Sequence, residues 1–408
     1  MELAGCQRGK GWSMSQSILA LNAGSSSVKF ALYDLGSSDG QQLVSRGTLD
    51  LGDTPRLTAK AADGTVQCDR QFNADDPHGA GIGELLNLVQ RELGGRKLIC
   101  TGHRIVHGGN EFSKPVRLTP ATIEALDRLT ALAPLHQPRS LAPVRAIAAL
   151  QPDLPQIGCF DTAFHQTIDP LVRRFALPQK YEGEGLRRYG FHGLSYEYIA
   201  RRLSEISPAL AAKRTIVAHL GNGASLCALH DGKSVDTTMG FSALDGLVMG
   251  TRCGAIDPGV LLYFLLERGM AADELQTMLY EKSGLLGVSG VSGDMRTLEA
   301  SSDPRAREAI ELFAFRAARE AGALANTMGG LECLVFTAGI GERSSSIRKA
   351  ISERLTWLGV ALDEPANDAH AELISRPDSK VDVRVIATDE ESVIARHSRA
   401  VVEVGSAT

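Results

Sequence analysis

The chain has 408 residues, of which 43% are hydrophobic and 22% charged, and its formal net charge is −5. That length allows two domains each with its own core, the composition is that of an ordinary soluble globular protein, and the mild acidic balance leaves no footprint for nucleic acid. No apolar run approaches the ~18 residues of a membrane span, and the seven cysteines are scattered singly without C-x-x-C spacing, as expected of free thiols in a reducing cytoplasm rather than disulfides or a zinc site.

Residues 1–15 read as an extension. Its Leu3-Ala4-Gly5-Cys6 lacks the preceding apolar segment of a lipoprotein signal, and Met14 is an alternative start. Ile18–Phe30, ILALNAGSSSVKF, reads as a β-hairpin whose Asn22–Ser27 turn offers small hydroxyls, a glycine and exposed N–H groups. Such a turn suits a phosphate, and it is also what an ordinary hairpin needs. The first copy continues through a turn at Gly36–Gly40 into Gln42–Leu49, and residues 51–80 read as turn-rich. Gly83–Leu93 has helical spacing of Leu85, Leu86, Val89 and Leu93, ending at Gly94-Gly95. Lys97–Cys100 reads as a buried strand entering Thr101–Gly109, where His103 and His107 have metal-ligand spacing. The intervening β-branched residues favour strand and loop over ligation, which leaves Arg104 as the more informative side chain.

Leu118–Leu132 reads as an amphipathic helix capped by Thr119 with Pro120 first, followed by a rigid turn at Ala133–Pro138 and a helix at Leu141–Leu150. Gln156–Phe160 reads as a strand ending at Asp161, which is placed either as a ligand-side carboxylate or as a helix N-cap. Leu186–Gly193 gathers two arginines, two aromatics and His192, a residue placed to meet an anion or simply to sit in a solvated loop; Ser195 would cap Tyr196–Ile206. Thr215–Leu229, TIVAHLGNGASLCAL, then repeats the opening layout: a β-branched run, a Gly-Asn-Gly-Ala-Ser turn, an apolar run, and a third segment after Asp231-Gly232. Two such openings imply a duplicated domain whose turns hold a polyphosphate between them.

Arg252 lies in a glycine-flanked loop leading to a helix start at Asp257-Pro258. Gly284–Asp294 reads as a flexible linker to Met295 and Arg296. Arg305–Met328 reads as an amphipathic helix ending at Gly329-Gly330. Leu331–Phe336 is a strand that breaks into a third glycine turn, Thr337–Glu342, and Val381–Ala387 is a last strand before a helix over Ser392–Val402. There is no G-x-x-x-x-G-K-[ST], no G-x-G-x-x-G after a strand and no G-x-S-x-G elbow. Phosphoryl transfer without a P-loop, Rossmann or kinase fingerprint is the chemistry that remains.

In order, LNAGSSSVKF, TGHRIVHGG, APLHQP, FDTAFH, RRYGFHGLS, HLGNGAS, MGTRCGAIDPG, GVSGDMR, FTAGIGE and ATDEES make the chain resemble the acetate kinase family, within the superfamily of acetate and sugar kinases, heat-shock chaperones and actin. The resemblance runs from about Ser17 to the C-terminal helix. It implies an α/β fold of duplicated actin-like, ribonuclease H-like domains (βββαβαβα) facing an interdomain cleft: residues 16–162 plus 387–408 in one, 163–386 in the other. It implies reversible transfer of the ATP γ-phosphoryl group to acetate, giving acetyl phosphate and ADP by in-line displacement, with Mg²⁺ or Mn²⁺, in a cytoplasmic homodimer. Position by position, Asn22 and Glu390 would hold the metal and Asp161 would order it. Arg104, His192 and Arg252 would surround the phosphoryl group, and Val106, Leu135 and Phe191 would shape the methyl pocket. Ser25, Ser27, Lys29, His219, Asn222 and Gly223 would serve the phosphates, and Asp294, Met295, Arg296, Gly339 and Ile340 the adenosine.

Three positions depart from the family pattern: Ala243 stands where proline is usual, Tyr196 where histidine is usual, and Arg343 where asparagine is common. The residue chemistry agrees with the assigned roles. A carboxylic acid with a pKa of about 4 to 5 is already an anion at neutral pH, so no general base is required and repulsion by the γ-phosphate is the obstacle. Val106 leaves little room for an extra methylene, which favours acetate over propionate by about 1–3 kcal/mol. The rival expectation is a propionate or other short-chain carboxylate kinase, and beyond it an ATP-binding switch of the same superfamily.

Overall fold

The computed structural model describes residues 15–24, 27–36, 40–52, 54–72 and 77–405. Strands β1 (Gln16–Ala23), β2 (Ser27–Asp34) and β3 (Gln42–Asp50) form the expected antiparallel meander. β4 (Arg56–Ala61) and β5 (Val66–Gln71) extend it outward. On the other side of β1 lie β6 (Lys97–Ile105), parallel to it, then β8 (Gln156–Phe160), parallel to β6, and the two-residue edge β7 (Val116–Arg117). The order is β5-β4-β3-β2-β1-β6-β8-β7.

The second sheet repeats this plan. β9 (Thr215–Leu220), β10 (Ala224–His230) and β11 (Lys233–Thr237) form a meander, and β12 (Cys333–Thr337) and β13 (Asp382–Val385) add in parallel. Its order, β11-β10-β9-β12-β13, is that of β3-β2-β1-β6-β8. Asp231 and Gly232 both take positive φ in the β10–β11 turn, the mirror-image geometry that matches strand twist. The central strands are buried on both faces, so they read as continuous apolar runs rather than alternating ones. The helix Glu390–Gly405 packs Val393, Ile394 and Ala395 against Ile18, Ala20 and Cys100 of the first sheet, on the far side of the chain from its own sequence neighbours. The long helix Pro304–Met328 covers the second sheet with an alanine-rich stripe and ends on Gly329 at φ 70°.

Four segments differ from the sequence reading. The turn-rich stretch 51–80 contains β4 and β5; Leu57 and Ala59 point inward while Arg56 and Lys60 face water, a short edge alternation diluted by charge. Gly284–Asp294 is no flexible linker, because Gly284–Ser289 is a helix anchored by buried Leu285. Thr337–Glu342 turns into a helix, Ala338–Arg343, rather than an open glycine turn. Ser195 does not cap the next helix but lies within it, since Gly193–Ile206 starts two residues earlier with His192 at its N-cap.

Candidate active site

Parallel pairing of β1, β6 and β8 brings three side chains together at the carboxyl ends of adjacent strands. Leu21 is opposite His103 and Ile105 opposite Phe160, so Asn22, Arg104 and Asp161 converge. Arg104 donates to Asp161 Oδ2 from Nε at 2.9 Å and Nη2 at 2.6 Å, and from Nη1 to Asn22 Oδ1 at 3.2 Å. Asn22 Nδ2 donates onward to Glu390 Oε2 at 2.8 Å and Glu391 Oε1 at 2.9 Å, at the start of the last helix. Burial opposes the Arg104 charge, but the Asp161, Glu390 and Glu391 carboxylates outweigh it and hold its pKa above the ordinary arginine value. Burial likewise pushes the Asp161 carboxyl up, against the pull of Arg104. Asp161 caps no helix; its carboxylate is turned into the cleft.

The second sheet supplies the facing wall. His219, on β9, stacks on His192 with ring centroids 4.2 Å apart, and its Nδ1 lies 2.9 Å from Ser195 Oγ. Burial, with Arg104 nearby, pushes His219 down to about 3; burial, His219, Arg104 and Arg252 keep His192 well below the ordinary histidine value. Both rings are therefore neutral at physiological pH. Arg252 donates from Nη1 to the Ala243 carbonyl at 2.5 Å, and its Nη2 would lie 2.6 Å from a Cβ on Gly223, so any side chain there would displace the guanidinium. Burial pushes Arg252 down to about 10, which leaves it charged. Gly193 is equally constrained, because a Cβ would meet the Asp161 carbonyl at 1.9 Å. Two non-glycine residues with left-handed backbones, His192 (φ 58°) and Ala338 (φ 65°), both border the cleft, and each costs of order 1 kcal/mol that the surrounding packing must hold.

These groups line one cavity of about 1160 Å³ between the two sheets. Of the expected residues, Asn22, Ser27, Lys29, Arg104, Val106, Leu135, Asp161, Phe191, His192, His219, Asn222, Gly223, Arg252, Gly339 and Glu390 border it. Ser25 lies outside the described residues. Asp294, Met295, Arg296 and Ile340 are not in its wall. Asp294 caps the short helix Met295–Glu299 and pairs with Arg296, Met295 is buried in the second core, and Ile340 packs against that core. This helix sits behind the wall, where Gly250 donates to the Asn222 carbonyl at 3.0 Å and closely approaches Gly293.

The sequence reading missed His136, Arg139, Glu342 and Glu391, which also border the cavity. His136, Glu342 and Glu391 were within the motifs APLHQP, FTAGIGE and ATDEES, but nothing in spacing marked them. Glu342 is the most telling omission. Its Oε1 accepts from Ala338 N at 2.9 Å and Thr388 N at 3.3 Å, tying the turn after β12 to the segment that carries Glu390. His103 and His107 are buried apart from any ligand cluster. His103 contacts Thr101 Oγ1 at 3.1 Å, and Nδ1 of His107 accepts from Gly109 N at 2.8 Å.

No group of three or more His, Cys, Asp or Glu side chains among the described residues forms a ready-made metal cage. The oxygen set nevertheless suits a hard divalent ion, because Asp161 Oδ1 is buried without a hydrogen-bond partner and Glu390, Glu391 and Asn22 border the same space. An ion of that class takes one or two carboxylates and completes its shell with water and phosphate oxygens.

The acetokinase family model matches residues 17–396. The chain is 50% identical over 389 residues to an acetate kinase of Rhodopseudomonas palustris (strain ATCC BAA-98 / CGA009), covering 94% of this chain and 98% of the relative. Among solved structures it resembles Porphyromonas gingivalis acetate kinase with a TM-score of 0.81 at 36% identity, over 95% of this chain and 100% of that one. It also resembles a propionate kinase from Francisella tularensis subsp. tularensis SCHU S4 with a TM-score of 0.85 at 37% identity, over 94% and 98%. Twin sheets of one topology, closing on a cleft of arginines, carboxylates and glycine turns, together with these matches, mark a phosphotransferase of the actin-like fold that phosphorylates a carboxyl group. The chain belongs to the acetokinase family.

Proposed function

We propose that the protein transfers the γ-phosphoryl group of ATP to acetate, reversibly and by direct in-line displacement: a carboxylate oxygen attacks phosphorus, the bond to the β-phosphate oxygen breaks, and ADP leaves. The observation that carries this reading is the convergence of Arg104, Arg252 and His192 on one buried space beside an apolar wall of Val106, Leu135 and Phe191. Acetate arrives already ionised, so the residues must offset repulsion rather than remove a proton. Two guanidiniums on opposite walls neutralise the equatorial oxygens, an effect worth roughly 10³-fold or more for one arginine in related chemistry. Asp161 holds the Arg104 fork in register through two hydrogen bonds to one oxygen, and an acceptor that arrives ionised leaves no proton for it to take. Mg²⁺, for which Asp161, Asn22 and Glu390 are the candidate holders, would supply charge neutralisation on the phosphates, and Mn²⁺ fits the same oxygen set.

Ser27, Lys29, His219, Asn222 and Gly223 serve the phosphate chain in this reading, with Ser25 assigned by resemblance alone. Gly339 takes the ribose side. Asp294, Met295, Arg296 and Ile340 keep the adenosine role that the resemblance gives them, without support from the cleft wall. Residues 16–162 with 387–408 form one half and 163–386 the other, in keeping with the docking of Glu390–Gly405 on the first sheet.

We take the cytoplasm as the compartment, in agreement with six free cysteines and no membrane-spanning helix among the described residues. A homodimer is favoured by the exposed Leu262, Tyr263, Leu265 and Leu266, an apolar face left uncovered by the described residues. Sedimentation velocity at micromolar concentration should give the mass of two copies; a single-copy mass would refute the dimer.

Hydroxylamine capture tests the reaction itself. Acetate-dependent hydroxamate is expected from ATP, with a lower kcat/KM for propionate by about 10- to 200-fold, the worth of one methylene. ATP hydrolysis without hydroxamate would identify a switch instead, and a propionate preference would reassign the acceptor.

A further inference from the structure

The two ring nitrogens of His192 have different surroundings. Nδ1 lies 2.8 Å from Ser225 Oγ, and the same oxygen forms a short hydrogen bond with the Tyr196 hydroxyl. Nε2 faces the other way, toward Gly223 and Arg252: a Cβ placed on Gly223 would be 3.4 Å from Nε2 and 2.6 Å from Arg252 Nη2. Tyr196 and Ser225 are fully buried, and Ser225 is the one hydrogen-bond partner of the phenol among the described residues.

Counting hydrogens fixes the direction of this chain. If the Tyr196 hydroxyl donates to Ser225, the serine hydrogen goes to Nδ1, and the imidazole proton must sit on Nε2. In the opposite direction Nδ1–H donates to Ser225 and Ser225 donates to the phenol oxygen. The phenol hydrogen is then left in the interior without an acceptor, a desolvation cost of about 1–3 kcal/mol. Only the first arrangement leaves no hydrogen orphaned. A second ring proton is opposed by everything packed around the imidazole: His219 on one face, the cations Arg104 and Arg252, and His165.

We propose that Tyr196 and Ser225 are positioning residues that lock His192 as the neutral Nε2–H tautomer, so that it meets the phosphoryl group as a hydrogen-bond donor between two arginines. The proposal rests on the reading of His192 as a ligand of that group, and it gives a role to Tyr196, one of the three side chains that depart from the family pattern. The donor adds no third positive charge to the wall, and it is aimed before any substrate arrives, which is the condition for electrostatic stabilisation without reorganisation. His192 has a left-handed backbone at the N-cap of Gly193–Ile206, and its side chain makes no capping hydrogen bond there, which leaves Nδ1 free for Ser225.

The test is ¹⁵N NMR of the whole protein labelled at histidine nitrogens, with His192 assigned by its disappearance in His192→Gln. The expected spectrum has an unprotonated Nδ1 and a protonated Nε2 at pH 7. Tyr196→Phe should lower kcat about tenfold with KM for both substrates within about twofold, while mixing the tautomers; Ser225→Ala should do the same. A protonated Nδ1 in the unsubstituted protein overturns the proposal even if neither variant folds. So does a Tyr196→Phe protein with an unchanged tautomer, whatever its rate. Full turnover in His192→Ala, which keeps no donor, alongside the expected tautomer would instead remove His192 from the transfer step and leave the relay standing.

Discussion

Arg104 and Arg252 carry charge into the cleft by different means. Arg104 is compensated by Asp161 and, through Asn22, lies one hydrogen bond from the Glu390 and Glu391 carboxylates. Arg252 has no carboxylate partner within salt-bridge distance among the described residues, only the Ala243 carbonyl, and its lowered pKa records that deficit. The two should therefore fail differently. Arg252→Ala is expected to lose about 10³-fold in kcat with the melting temperature nearly unchanged. Arg104→Ala should lose comparable activity and also about 3–5 kcal/mol of stability, because Asp161 is left buried and unpaired. Steady-state kinetics with urea titration separates the two, and near-normal turnover in either would remove that arginine from the mechanism. Arg104 was legible as a residue in a glycine-rich strand end. Its partner was not, because Asp161 is 57 positions away and a carboxylate after a strand reads equally well as a cap.

At the scale of elements, the turn after β12 is held from beneath. Arg348, fully buried, donates to the Gly341 and Glu342 carbonyls at 3.0 Å each, to Asn367 Oδ1 and its carbonyl at 2.7 Å each, and to His370 Nδ1 at 3.1 Å. It thus fixes the C-terminal carbonyls of Ala338–Arg343 while the Glu342 carboxylate holds that helix's first N–H and the Thr388 amide. Arg348→Ala would leave several buried acceptors unsatisfied at once, an expected loss of about 3–5 kcal/mol in urea unfolding. With Gly339 proposed on the ribose side, KM for ATP should rise more than KM for acetate. Equal effects on both would show that the turn does not act locally. None of this was visible in the sequence, where Arg348 is one polar residue on an amphipathic helix. The meanders, by contrast, were plain: β-branched runs around Gly/Ser turns occur twice at matching positions. β4 and β5 escaped because their inward residues are few, and Gly284–Ser289 because a single buried leucine, Leu285, anchors it against a glycine-rich background.

Across the whole molecule, several histidines are buried as neutral rings. Burial pushes His103 and His219 down to about 3, and His107 and His165 down to about 4. An unfolded histidine titrates near 6.5. Above that pH both states are neutral and the groups contribute no pH dependence. As pH falls below about 6.5 the unfolded chain gains protons that the folded one refuses, so stability declines until the folded values are reached. Each histidine accounts for about 1.4 kcal/mol per pH unit in that window, and four together amount to several. Thermal melts should be flat from pH 7 to 8 and drop steeply between pH 6.5 and 4. A melting temperature independent of pH over that range would contradict the burial of these rings.

The Glu390 and Glu391 carboxylates open a helix that seats on β1, so one wall of the cleft is assembled from segments 368 positions apart, the later of which follows both sheets. A nascent polypeptide that has built both sheets but not yet released residue 390 has its arginines in place without the carboxylate end of the site. Such a chain should neither consume nucleotide nor bind it tightly, and synthesis itself thereby delays the onset of turnover until that helix has met the first strand.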